Sequence, residues 1–424
     1  MTGTLAGLAI VFLAILGTPL FIIMSLAALV AFTFSGVEVS AVAQEFYRIS
    51  SAPTLMTIPL FTFAGYLMAE SKSPQRLLKL AETGLGWLPG GISIVALVVC
   101  AFFTAFTGAS GVTIIALGGL IYPILIKDGY TEKYSLGMVT ASGSLGLLFP
   151  PSLPIILYGL VAKVDIDKLF KAGLLPGLVI MIVLSLWAVY NSPKKVEKDN
   201  KHSKFSASAF VKALKEAWLE ALLPVAVLVG IYGGFVTVTE AAAFTALYVF
   251  IIEVFIYKDL SLTKDIPKVI VDSMSLVGGI LLILCCALGF TNFLVDEDVP
   301  LKIFALMKEF LHDKYSFLLF LNIFLLIVGC LMDIFSAIVV VVPLIIPIAN
   351  DFGVDPIHLA MIFLDNLEIG YLTPPVGINL FISSFRFNRP ITELYRASVP
   401  FLILLIIALA IITYIPALSL FWFK

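Results

Sequence analysis

The residues with the most chemical potential are those that stop helices inside apolar stretches. Phe106-Thr107-Gly108-Ala109-Ser110-Gly111 interrupts one such stretch, and Pro150-Pro151 interrupts the next. Asp333 and Ser336 stand in a third, and Gly370, Thr373 and Pro374-Pro375 in a fourth. A helix that stops leaves carbonyl and N–H groups without partners, and proline removes a further donor. Freed carbonyls coordinate a small cation such as Na⁺, and freed N–H groups at a helix start attract a carboxylate. The candidate cation ligands are therefore Gly108, Ala109, Ser110, Ser142, Ser144 and Pro150, with Asp333, Ser336, Asn366, Gly370, Thr373 and Pro374. The candidate substrate ligands are Ser110, Gly111, Ser152 and Asn379. Asp333 ranks first, because a carboxylate inside an apolar segment is functional by default. Glu240 fits a helix cap as well as a ligand. Asp365 and Glu368 are weaker candidates, expected to find partners within their own broken helix.

Composition says what surrounds these breaks. Of 424 residues, 61% are hydrophobic and only 13% charged, with mean hydropathy +1.10. A soluble domain carries about 25% charged residues, and a soluble fold of this size cannot hide so much apolar side chain. A lipid bilayer is the remaining solvent, and roughly 20 apolar residues span it. Lipid cannot satisfy a broken helix, so each break must face protein or a watery cavity. The net charge of -2 and the lack of a basic block give no sign of nucleic acid. Cys100, Cys285, Cys286 and Cys330 lie in apolar runs without metal-type spacing. No HExxH, GxSxG or P-loop pattern occurs, so the chain lacks the parts of familiar hydrolases and NTPases and is not expected to be an enzyme. The first apolar stretch is too long, and lacks the basic start, for a cleaved signal peptide.

The chain also resembles itself. Shifted by 224 residues, Gly108–Pro176 falls without a gap on Met332–Pro400. Pro123 then meets Pro347, Gly129 meets Gly353, Gly146 meets Gly370, Pro150-Pro151 meets Pro374-Pro375, and Pro176 meets Pro400; upstream, Gly65 meets Gly289. Aligned proline pairs with matching glycines point to duplication. The polar interval 191–217, which carries seven lysines, separates a first repeat (1–190) from a second (218–424). A short amphipathic helix is expected near Ala209–Leu219.

Each half reads as one series of segments. Two short helices come first (about 4–16 and 19–35, then 221–233 and 239–257), followed by a span near 53–70 or 272–294. Next comes a hairpin broken at its centre, about 91–126 or 315–350. A broken helix follows, about 131–162 or 355–385, and a closing span near 172–190 or 397–420. If the hairpins are re-entrant, each half makes an odd number of crossings and the second enters inverted. The fold class expected is therefore an all-α polytopic membrane protein of two inverted repeats, divided into a scaffold and a transport domain. Under that topology, eighteen of the 26 Lys and Arg residues collect on the side of the 191–217 linker and eight on the other. The positive-inside rule makes the linker cytoplasmic and both termini periplasmic.

At these residues the chain resembles the large membrane (M) subunit of the tripartite ATP-independent periplasmic (TRAP) transporters, within the ion transporter superfamily. The resemblance rests on Phe106–Gly111, Leu145–Ser152, Thr239-Glu240-Ala241, Met332-Asp333 and Ile369–Gly377. It implies Na⁺-driven uptake of a small organic acid across the bacterial inner membrane by an elevator mechanism, with no organic cofactor. It also implies two partners: a small four-helix membrane subunit (Q type) and a periplasmic substrate-binding protein (P type). Because Met1 leads directly into the first span, the small subunit is not expected to be fused here. An alternative of the same architecture is a stand-alone Na⁺- or H⁺-coupled carboxylate symporter or antiporter. An intramembrane enzyme would need a catalytic pair in facing helices, for which Asp333 with Asp365 is the nearest approach.

Overall fold

In the computed structural model the described residues are 18–35, 53–193, 205–299 and 313–423, with isolated positions between 7 and 16, at 44 and 47, and between 302 and 311. They are helical throughout, and no strand occurs among them. The first half contains α1 (Leu20–Ser35), α2 (Thr57–Glu70), α3 (Ser73–Leu85), α4 (Gly91–Thr107), α5 (Ser110–Lys127), α6 (Glu132–Ser142), α7 (Leu153–Ala162) and α8 (Ile166–Tyr190). The second contains α9 (Ala207–Tyr232), α10 (Val238–Ile251), α11 (Asp265–Asp296), α12 (Lys314–Leu331), α13 (Ile334–Asp351), α14 (Pro356–Gly370), α15 (Ile378–Phe387), α16 (Ile391–Tyr414) and α17 (Ala417–Leu420). Among the described residues seven helices are long and apolar enough to cross a membrane; the α6–α7 unit, bent by 43°, makes an eighth if it is one span. The chain is thus a multi-pass membrane protein.

The expected segments recur with shifted ends. The closing spans start earlier than expected, at Ile166 and Ile391, and the second ends at Tyr414. Polar residues such as Asp167 and Glu393 fill their first turns, where the helix dipole favours acids, so an apolar run alone understates them. The amphipathic stretch near 209–219 is continuous with the next span in α9 rather than a separate helix. The helix expected at about 4–16 falls largely outside the described residues, as do Arg48 and linker residues 194–204.

The helices pair across the halves in a reciprocal pattern. α1 packs on α11, and its counterpart α10 packs on α2. The hairpin arm α13 packs on α7, and α5 packs on α15. α6 packs on α16, and α14 on α8. Repeat-related elements therefore exchange partners, as an internal two-fold relation requires.

One helix was not anticipated. α3 is a 13-residue amphipathic helix, with Leu77 and Leu78 buried, packed on α9. Arg76 on α3 is largely buried among three carboxylates of the second half. It contacts Glu220, lies 3.0 Å from Glu253 and 2.5 Å from Asp259, and sits 3.9 Å over the Tyr257 ring. Burial alone lowers the pKa of its guanidinium, but Asp259, Glu220 and Glu253 outweigh that and hold it above its ordinary value. Lys79–Glu216 (2.6 Å) and Lys268–Glu70 (3.3 Å) add exposed ties between the halves on the same face.

Candidate functional site

The first hairpin breaks over two residues. Gly108 closes α4 with φ 63°, accessible at little cost only to glycine. A Cβ there would also fall 2.6 Å from Leu153 Cβ at the start of α7. Ala109 is extended (φ −130°, ψ 110°), and Ser110 opens α5. Gly65 on α2 lets that helix lie directly against the tip, since a Cβ there would meet Phe106 O and Thr107 Cα at 2.6 Å.

The first broken helix is interrupted earlier than its proline pair. α6 ends at Ser142, and a short 3₁₀ turn over Leu145–Leu148 precedes Pro150-Pro151, whose peptide bond is cis. Thr104 Oγ1 on α4 donates to Gly143 O at 2.7 Å, and a Cβ on Gly143 would stand 3.4 Å from Ser110 O. The hairpin tip and the end of α6 are therefore in contact, with the carbonyls of Ser110 and Gly143 among the groups there. Ser144 and Ser152 are fully buried, and their hydroxyls have no hydrogen-bond partner among the described residues.

The second half supplies the opposite wall. Gly111 abuts Ile382 of α15, 2.6 Å from where its Cβ would lie. Asn379, in the first turn of α15, donates through Nδ2 to Thr140 O at 3.3 Å while its Oδ1 is unpartnered. Thr140 and Ser383 place their hydroxyls 2.9 Å apart. Three helix starts thus meet in one region: α5 at Ser110-Gly111, α7 at Ser152, and α15 at Gly377–Asn379. None of the three has a side-chain cap. Their orphan N–H groups make the region suited to an anion. No lysine or arginine stands in any of the four breaks.

The second hairpin tip differs. Met332 and Asp333 are extended, and Asp333 caps α13, accepting from Phe335 N and Ser336 N at 3.0 Å each and from Ser336 Oγ. Ile334 N donates to Tyr371 OH at 2.8 Å. Asp333 and Ser336 are thus brought to the break of the second broken helix, Tyr371–Gly377, whose Pro374-Pro375 bond is also cis. Thr373 Oγ1 donates to Ile369 O at 2.9 Å, leaving its lone pairs free. Pro374 is exposed, whereas its counterpart Pro150 is buried.

Asn366 stands apart from this cluster. Its Nδ2 donates to Asn322 Oδ1 (2.8 Å) on α12 and to Ile362 O (2.7 Å), and Asn322 in turn reaches Thr413 Oγ1 on α16. Only its unpartnered Oδ1 is free to act as a ligand. Glu240 forms a capping box with Thr237, donated to by Thr237 N at 2.8 Å, and has a structural role there. The partners expected for Asp365 and Glu368 within α14 are absent: neither carboxylate has a hydrogen-bond partner among the described residues. No sequence pattern signalled this. Thr104, Thr140, Tyr371 and Ser383 join the site without having been singled out as ligands. Only proximity to a break could have flagged them.

An all-helical membrane protein with duplicated breaks, reciprocal pairing and one anion-suited region is built like a secondary transporter. The sequence profile of the family described as "Tripartite ATP-independent periplasmic transporter, DctM component" matches residues 7–418. The chain belongs to that family: it is a TRAP large membrane subunit. It is 35% identical to the C4-dicarboxylate TRAP transporter large permease protein DctM of Pseudomonas aeruginosa, over 93% of this chain and 91% of that one. It is 32% identical to the DctM of Rhodobacter capsulatus, over 96% of each. It is 37% identical to the isethionate TRAP transporter permease protein DctMQ of Oleidesulfovibrio alaskensis, over 96% of this chain but only 64% of that relative's length. The crystal structure of the Alcanivorax borkumensis YdaH transporter has the same fold, at TM-score 0.63 and 13% identity, covering 89% of this chain and 87% of that one.

Proposed function

We propose that this subunit couples Na⁺ entry to uptake of a small organic acid across the bacterial inner membrane. A periplasmic substrate-binding protein delivers the acid, and a small four-helix membrane subunit completes the complex. The observation that carries this reading is the meeting of three uncapped helix starts, α5, α7 and α15, at breaks that carry no lysine or arginine. Helix-end dipoles and N–H groups then receive the carboxylate. Ser110, Gly111, Ser152 and Asn379 line that seat.

Na⁺ takes the carbonyl and hydroxyl oxygens beside it. One group comprises Gly108, Ala109, Ser110, Ser142, Ser144 and Pro150. The other comprises Asp333, Ser336, Gly370, Thr373 and Pro374, with Asn366 contributing its free Oδ1. The ion orders the hairpin tips, and ordered tips bind substrate more tightly; reciprocity makes substrate tighten the ion equally. The hairpins and broken helices move together as an elevator against a scaffold that includes the α1–α11 and α2–α10 pairs. The linker 191–217 is cytoplasmic and both termini are periplasmic.

The test is reconstitution in proteoliposomes with the small subunit, adding the binding protein and a panel of C4-dicarboxylates, sugar acids and sulfonates outside. Uptake that requires both an inward Na⁺ gradient and the binding protein is expected. Equal uptake without Na⁺ removes the coupling, and equal uptake without the partners favours a stand-alone symporter.

A further inference from the structure

Asn322 stands midway along α12, in a stretch from Phe317 to Leu331 that is otherwise apolar. A polar side chain inside such a span is kept where it finds partners on other helices. Asn322 Oδ1 accepts from Asn366 Nδ2 of α14 at 2.8 Å, and Asn322 Nδ2 donates to Thr413 Oγ1 of α16 at 3.1 Å. All three side chains are buried.

This chain of bonds has a fixed sense. Asn366 Nδ2 also donates to Ile362 O at 2.7 Å. That carbonyl can only accept, so the nitrogen of the Asn366 amide must face it. Turned over, the amide would set Oδ1 against Ile362 O, acceptor against acceptor. Asn322 must then turn its own oxygen to Asn366, which leaves its nitrogen for Thr413. Both hydrogens of Asn366 Nδ2 are thereby used. Its Oδ1 is left as a fully buried acceptor without a donor among the described residues. An acceptor buried unpaired is destabilising, whereas a hard cation takes such an oxygen as a ligand.

The repeat supplies a comparison. At the same offset of 224 the first half has Val98, Ser142 and Val189 in place of Asn322, Asn366 and Thr413. Ser142 Oγ donates to Val139 O of its own helix at 3.3 Å. Aliphatic side chains therefore serve at two of the three positions there, and the fold itself does not require the amide.

Resting on the Na⁺-coupled reading above, we propose that Asn322 is a positioning residue for the ion. It holds the Asn366 amide so that Oδ1, and not Nδ2, is offered as a ligand. Thr413 holds Asn322 in turn.

Na⁺ titration of the purified full chain tests this, read as melting temperature at constant ionic strength with choline as the replacement cation, and again as uptake in the reconstituted complex. Asn322→Leu removes the acceptor and frees the Asn366 amide to turn. The Na⁺ concentration for half-maximal stabilisation should then rise about 10- to 100-fold. Asn322→Asp keeps an acceptor toward Asn366 and should hold the wild-type midpoint or lower it. Asn366→Ala should raise the midpoint at least as much as Asn322→Leu. The double variant should raise it no further, because one residue acts through the other. A purely structural tie would lower the melting temperature equally at every Na⁺ concentration and leave the midpoint unmoved. That outcome, or additive effects of the two single variants, overturns the proposal. If Asn322→Leu fails to fold, the near-isosteric Thr413→Val carries the test: a raised midpoint supports the proposal and an unchanged one overturns it. A wild type whose stability and uptake both ignore Na⁺ removes the coupling and this proposal with it. A wild type that responds to Na⁺, with variants that respond alike, removes this proposal alone.

Discussion

Gly370 backs directly onto Gly329. A Cβ on Gly370 would stand 2.7 Å from Gly329 O, so α14 crosses α12 backbone against backbone just before the helix breaks. The first half repeats the contact 224 residues earlier. Gly146 lies against the backbone of Ala101 and Ala105, and its Cβ would meet Thr104 Cβ at 2.6 Å. Ala105 is the repeat counterpart of Gly329. In both halves the descending hairpin arm is thus clamped to the break of the following helix by a glycine. Gly370→Ala and Gly146→Ala should each destabilise the protein by about 1–3 kcal/mol or more, since neither neighbour is a flexible side-chain end. Gly278→Ala on α11, with nothing within 4 Å of its Cβ, should be neutral or stabilising by roughly 0.5–1 kcal/mol. Melting temperatures in detergent check all three, and wild-type stability in Gly370→Ala would refute the clamp.

The contact also shows what a sequence can reveal here. Gly146 and Gly370 were legible as matched members of a repeat, because glycine at a tight crossing leaves a type signature. So were both hairpin breaks, since apolar runs stop visibly at Gly108 and Asp333. The walls of the site were not legible. Thr140 meets Ser383 and Asn379 across 239 or more residues of chain, and spacing carries no record of such a juxtaposition. The lone state of Asp365 and Glu368 was equally hidden, because it depends on what every neighbouring helix fails to offer. α3 escaped notice for another reason: its charged face breaks the apolar run by which spans are found, although Leu77, Leu78, Ala81 and Leu85 follow a helical period.

Arg76 should be among the least replaceable residues outside the site. It is one cation facing Glu220, Glu253 and Asp259, all nearly inaccessible. Removing it leaves Glu220 and Glu253 buried without a cation and Asp259 with only the exposed Lys72, 3.7 Å away, and breaking a buried pair costs about 3–5 kcal/mol. Arg76→Leu should therefore lower the melting temperature sharply. Lys79→Leu, whose partner Glu216 is 39% exposed, should change the melting temperature little, because solvent screens an exposed pair. Lysine at position 76 should rescue only in part, because its single ammonium cannot divide donors among three carboxylates. Comparable melting temperatures for Arg76→Leu and Lys79→Leu would show that the cluster contributes little.

Asp333 has two separable jobs, a cap and a charge. As a cap it accepts from Phe335 N and Ser336 N; losing that costs roughly 1 kcal/mol. Asp333→Asn keeps an acceptor and should fold with little change, yet it removes the carboxylate beside the second break. If that carboxylate serves the ion, the Na⁺ concentration for half-maximal uptake should rise in the asparagine variant while the melting temperature holds. Asp333→Ala should lose both. An unchanged Na⁺ dependence in Asp333→Asn would confine the residue to capping.

The anion seat makes the last prediction. Ser110 and Asn379 approach it from opposite halves, one at the uncapped start of α5 and one in the first turn of α15. Neither is paired to a charged residue, so each can be changed without stranding a charge. A hydrogen bond to a charged group contributes about 1.5–3 kcal/mol, which corresponds to roughly 10- to 100-fold in affinity. Ser110→Ala should raise the substrate concentration for half-maximal uptake by that order. Asn379→Asp should do more, because it puts a negative charge where the carboxylate of the substrate belongs and adds repulsion to the lost donor. Because Asn379 Nδ2 also holds Thr140 O, its melting temperature must be measured alongside. A variant that folds as the wild type but transports as well as it does would move the substrate away from these three helix starts.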